Sequence, residues 1–131
     1  MEQHVAHLGG IFIHSESPKD LADWYTKAFG LTYEYTEEHK TYYISFPYLE
    51  VESKKKAYAV WSILNKDYRP TLEFRPFTLN FRIKDLEKLK IHLESLGIEI
   101  TDIQAHDEGK FAWSNDPEGN YIELWEDTQI A

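Results

Sequence analysis

Apolar residues along this chain fall into short alternating runs and two longer runs at helical spacing, and the switch between the two periods predicts the elements. Residues 8–14 read as a first strand, with Ile11 and Ile13 on one side and Gly10, Phe12 and His14 on the other. Ser17 then stands as a helix N-cap with Pro18 at the first helical position, a favoured pairing. Leu21, Trp24, Tyr25, Ala28 and Phe29 follow on one face until Gly30 ends the helix. Strands are expected at 31–35, 41–46 and 58–64, with Lys54, Lys55 and Lys56 at a solvated tip between the last two. Arg69-Pro70 and Arg75-Pro76 mark an extended linker, and 77–83 is a further strand. Asp85 is placed as the N-cap of a second helix carrying Leu86, Leu89, Leu93 and Leu96 and stopped by Gly97. A strand at 98–103, a polar loop through His106, Asp107 and Gly109, and two closing strands complete the order.

Strand, helix ending in glycine, then three strands thus occurs twice, with Gly30 and Gly97 67 residues apart. The expected division is one domain of two modules, 5–66 and 77–127, joined by a linker at 67–76. In the first strand of the second module, Leu79, Phe81 and Ile83 alternate with Thr78, Asn80 and Arg82.

The stretch 111–126 carries the candidate chemistry. Asp116-Pro117-Glu118-Gly119-Asn120 has the residues of a tight turn, because Pro117 presets its φ and Gly119 tolerates a positive one. In the strand that follows, Ile122 and Leu124 share one face, while Tyr121, Glu123 and Trp125 share the other. A carboxylate between two aromatics must face water, find a partner or bind a ligand.

Taken together, the turn, its flanking aromatics and the run Ile122-Glu123-Leu124-Trp125-Glu126 resemble the C-terminal signature of the vicinal-oxygen-chelate superfamily, which holds glyoxalase I, extradiol dioxygenases and bleomycin-resistance proteins. The resemblance covers nearly the whole chain. It implies an α+β fold of two βαβββ modules whose curved mixed sheets form a cleft, with helices on the outer faces. It also implies a homodimer, and a metal held from four places, of which Glu123 matches the final-strand ligand. Counting back from the two helix starts puts Gly10 and Thr78 at the first-strand positions, and the remaining carboxylate position falls on Trp61. Glycine has no side-chain ligand, an indole offers only a donor, and one carboxylate does not hold a transition metal. No metal or other cofactor is therefore expected. A rearranged set of His14, His106 and Glu123 is the alternative, and His7 faces the helix side by parity, while His4, His39 and His92 read as surface positions.

What this leaves is a small-molecule pocket lined by Phe12, His14, Trp61, Asn80, Arg82, Trp113, Tyr121 and Trp125 around Glu123. Each aromatic has the core as its alternative place, and Arg82 could instead pair with Glu123. The favoured reading is a metal-independent binder of a flat or aromatic molecule. The alternative is a glyoxalase-like lyase, isomerase or dioxygenase using Glu123 as base or metal ligand, and a third is a cleft filled by its own side chains or a second subunit. Composition narrows the partners. The 131 residues are 42% hydrophobic and 15% aromatic, enough for a packed core, and the formal charge of −9 argues against nucleic acid or an anionic membrane. No cysteine is present, which removes disulfides and thiolate sites. With no signal-peptide pattern at the N-terminus, a cytoplasmic location is expected.

Overall fold

The computed structural model describes residues 8, 10–68, 78–107 and 109–128. His4, His7, the side chain of His39 and positions 69–76 of the expected linker lie outside the described residues. The elements are β1 (Gly10–Ser15), α1 (Pro18–Phe29), β2 (Glu34–Thr36), β3 (Thr41–Leu49) and β4 (Lys56–Asn65), then β5 (Thr78–Arg82), α2 (Leu86–Ser95), β6 (Gln104–His106), β7 (Gly109–Asn115) and β8 (Tyr121–Glu126). Two four-stranded mixed sheets result, ordered β1-β4-β3-β2 and β5-β8-β7-β6. In each, the first strand pairs parallel with the last and the others pair antiparallel. This is the βαβββ module twice, in one class, α+β. Two compact units follow the repeat, except that Lys27–Gly30 groups with the second.

In the first unit, Ile13, Leu21, Ala22, Tyr25, Trp61 and Ile63 are buried, at 3% exposure or less. Each large apolar side chain so buried contributes about 2 kcal/mol. Pro18 opens α1, the Leu21 N–H donates to the Ser17 carbonyl, and the Ser17 N–H is held by Ser15 Oγ. The start of β1 approaches the middle of β4 closely: a Cβ on Gly10 would lie 1.8 Å from the Val60 carbonyl oxygen.

Tyr33 sits edge-on to Trp61, ring centroids 5.7 Å apart, and its hydroxyl is buried with no hydrogen-bond partner among the described residues. Burial pushes the phenol well above its ordinary range. A buried, unsatisfied hydroxyl opposes folding, so Tyr33→Phe should raise stability by about 1 kcal/mol. The sign of the pH effect follows from the raised value. The unfolded phenol ionises near pH 10 while the folded one does not, so stability is lost as pH rises above that point. Melts at pH 8 and above pH 10 check both effects; a destabilised Phe variant would mean that the hydroxyl has a partner.

In the second unit, Leu79, Leu86, Leu93, Ala112, Ile122 and Leu124 are all fully buried. Asp85 caps α2 by accepting from the Lys88 N–H at 3.1 Å, and Gly97, at φ +74, lets the chain turn off the helix. Glu126 adds a second carboxylate at that N-terminus, accepting the Leu86 N–H at 2.7 Å and so tying the end of β8 to the helix. Phe29, in the last turn of α1, packs edge-on against Phe81 at 5.3 Å.

One strand is displaced from its expected position. The regular fourth strand is 104–106, within the expected loop, and not 98–103. Thr101 is the physical reason. Its N–H donates to the Trp113 carbonyl, but its side-chain hydroxyl, not a main-chain carbonyl, accepts the Trp113 N–H. Ser114 Oγ likewise bonds the Glu99 carbonyl at 2.6 Å, leaving one bridge, Ile100 to Ser114, in place of a ladder.

Candidate functional site

The second sheet has one face packed on α2 and one lined by chemistry. Strand alternation puts Leu79, Phe81, Ile122, Leu124 and Ala112 on the first face. Register arranges the other face in rows: Thr78 beside Tyr121 and Asn115, Asn80 beside Glu123 and Trp113, and Arg82 beside Trp125, Phe111 and Gln104. The turn that sets this register is held by Asp116. Its Oδ1 accepts the N–H of both Glu118 and Asn120 at 2.9 Å, and its Oδ2 accepts Asn120 Nδ2 at 2.6 Å. Gly119 takes φ +85, as such a turn requires.

Glu123 is half-buried in the middle row, and each of its oxygens accepts one N–H. Asn80 Nδ2 donates to Oε2, and the Trp113 indole donates to Oε1 at 3.1 Å. Around it the rings of Phe111 and Trp113 are inclined by 15° and those of Phe111 and Trp125 by 3°, with centroids 6.3 and 6.2 Å apart. Near-parallel rings flanking one carboxylate form a ribbed apolar surface with a single acceptor at its centre. His106 closes this face, 5.8 Å from the Phe111 ring, with Nε2 on Gln104 Oε1 at 3.2 Å. Beside the broken edge runs an open groove of about 550 Å³ between the end of α2, residues 97–101 and Trp113–Asn115.

Arg82 does not pair with Glu123. Its guanidinium lies 3.4 Å from Asp127 Oδ2 and 5.8 Å from the centroid of the Trp125 ring, within cation–π range. In the first unit Phe12, 62% exposed, and the half-buried His14 share the β1 face opposite Ile13.

Trp61 corrects the expected lining. It is 3% exposed and packs edge-on against Tyr25 at 4.6 Å, on the helix side of its sheet. The register of β1 with β4 pairs Ile11 with Trp61 and Phe12 with Ser62, so the first-sheet position matching Glu123 is Ser62, one residue on. Phe111 is the aromatic of this face that sequence reasoning left out. Its even spacing with Trp113 across from Trp125 was the signal available.

No family model matches the chain, and no curated protein matches it. Solved structures do. A lactoylglutathione lyase from Agrobacterium tumefaciens superposes with TM-score 0.66 at 13% identity, over 95% of this chain and 96% of that one. A glyoxylase/bleomycin resistance protein/dioxygenase domain from a Frankia species gives TM-score 0.64 at 16% identity, over 97% and 96%. The chain has the vicinal-oxygen-chelate fold. An antibiotic binding protein from a Streptomyces species shares it too, with TM-score 0.67 at 17% identity, over 97% of this chain and all of that one (100%). At these identities the likeness carries the vicinal-oxygen-chelate fold and no particular reaction.

The metal that this fold implies does not fit the residues present. The groups that converge on Glu123 are the Asn80 amide nitrogen and the Trp113 indole, both donors and neither a ligand for a divalent ion. Ser62 stands where the first module would need its carboxylate, and among the described residues no three His, Asp or Glu side chains gather around one point. Among the same residues, no helix is long and apolar enough to cross a membrane.

Proposed function

We propose that this protein binds a small, flat aromatic molecule on the face of β5, β8 and β7 turned away from α2, without a metal, and that it does so as a homodimer. The observation that carries this reading is the parallel set Phe111, Trp113 and Trp125 around Glu123. Its three rings supply apolar contact, while the fixed carboxylate accepts a hydrogen bond from the ligand. Tyr121, 44% exposed at one end of the face, adds a further ring. The Streptomyces structure, an antibiotic binding protein of this fold, supports a binding role. A lyase, isomerase or dioxygenase with Glu123 as base or metal ligand is the competing reading.

Titrating 2-naphthol into the protein while following tryptophan fluorescence tests the proposal. Binding should weaken about tenfold or more in Trp113→Ala and in Trp125→Ala, since one aromatic contact is worth about 0.5–1.5 kcal/mol beyond its area. Chelator-stripped protein should melt at one temperature whether or not Zn²⁺, Ni²⁺, Mn²⁺, Co²⁺ or Fe²⁺ is added. A rise with one ion that Glu123→Gln abolishes would replace binding with the enzymatic reading, because a metal at about 100 times its dissociation constant stabilises by roughly 2.7 kcal/mol.

A further inference from the structure

Asn80 and Arg82 follow one another on the same side of β5, so Glu123, beside the first, and the Arg82 guanidinium stand in successive rows of one face. The rows are one two-residue repeat apart, roughly 6.6 Å along the strand. The two charges are not spent on each other. Glu123 accepts from Asn80 and Trp113, and an ionised carboxylate has lone pairs beyond the two those donors occupy. Arg82 reaches Asp127 across 3.4 Å with its own side chain 55% exposed, a contact of the kind that contributes little to stability. Its guanidinium has five N–H donors in a planar fork, so it can take an oxyanion while Asp127 still steers it over the Trp125 ring.

Opposite charges in successive rows of one face select among flat molecules. A simple aromatic amine would gain at Glu123 but face the Arg82 cation. A simple aromatic acid would gain at Arg82 but face the Glu123 carboxylate. A ring bearing a neutral hydroxyl at one end and a carboxylate at the other meets both. On the reading above, that the face takes an aromatic ligand, we infer that this ligand is a hydroxylated aromatic acid. Its hydroxyl donates to Glu123, its carboxylate is taken by Arg82, and its ring lies against Trp113, Phe111 and Trp125. Net charge does not oppose this, because the −9 of the whole chain is screened over a Debye length of about 8 Å at physiological salt.

Four probes on one ring system separate the contributions: 6-hydroxy-2-naphthoate, 2-naphthoate, 2-naphthol and 2-methoxynaphthalene, titrated by calorimetry at neutral pH. The hydroxy acid should bind at least about tenfold more tightly than 2-naphthol or 2-naphthoate, as charge-assisted hydrogen bonds allow. Arg82→Met, which keeps a stem over Trp125, should erase the gain from the carboxylate, and Glu123→Gln should shrink the gain from the hydroxyl. If the hydroxy acid binds no better than its singly substituted relatives, or keeps its carboxylate gain in Arg82→Met, the inference is wrong while the aromatic site stands. If none of the four binds, the aromatic site itself is wrong. The comparison among probes uses the unaltered protein, so it does not depend on either variant folding.

Discussion

Asp116→Ala should lower stability by about 3 kcal/mol, the largest effect expected of any polar residue in the described chain. The carboxylate is 5% exposed and accepts two backbone N–H groups and the Asn120 amide. Hydrogen bonds to a charged acceptor contribute about 1.5–3 kcal/mol each, and alanine would strand their donors in a partly buried turn. For a chain of 131 residues the midpoint of thermal unfolding should fall by roughly 10 °C. Asp116→Asn, which keeps one acceptor oxygen, should lose about half as much. The consequence reaches function through register: this turn places Asn115 opposite Tyr121 and Trp113 opposite Glu123. An alanine variant that melts within about 2 °C of the parent would show that Pro117 and Gly119 hold the turn unaided.

Gly10→Ala should cost about 3 kcal/mol for a different reason. Its added Cβ would meet the Val60 carbonyl oxygen at 1.8 Å, and backbone, unlike a flexible side chain, cannot swing aside. Either β1 separates from β4 at its start or both strands shift. Gly30→Ala is the control, since Gly30 also has positive φ, at +73, but nothing lies within 4 Å of its Cβ. It should cost only about 1–2 kcal/mol, the conformational penalty alone. Hydrogen exchange locates the damage: amides of Ile11, Phe12 and Ile13 should lose protection in the Gly10 variant and keep it in the Gly30 variant. Equal losses in both would mean that the close approach at Val60 relaxes freely.

Both residues had been noticed in the sequence, and in each case the structure supplied the force behind the observation. Gly10 stood in the sequence at an expected ligand position with no side chain to offer, and the structure sets the Val60 carbonyl where a side chain would begin. Asp116 read only as part of a turn whose Pro117 and Gly119 set the dihedrals. Its carboxylate is what satisfies the turn's amides. The helices were the most legible elements, because cap, apolar face and terminal glycine all agree at Pro18–Phe29 and at Leu86–Ser95. Trp61 was misplaced because residues 58–64 are apolar on both parities, so alternation cannot say which side faces the helix. Only pairing with β1 fixes it. The strand expected at 98–103 had a suitable pattern, and the Thr101 hydroxyl interrupts its ladder, an event that no propensity records.

The sequence by itself determined the repeat, the two helices, the closing turn and the parity that sets Glu123 apart from Ile122 and Leu124. All of these are short-range: period, capping and turn chemistry act over a few residues and leave their mark in the order of the chain. Tertiary structure decided who meets whom. It gave Glu123 to Asn80 and Trp113, Arg82 to Asp127 and Trp125, Glu126 to the start of α2, and Trp61 to the core. Such partnerships span 40 residues or more in several cases, and they depend on strand register, where a slip of one residue turns every side chain to the other face.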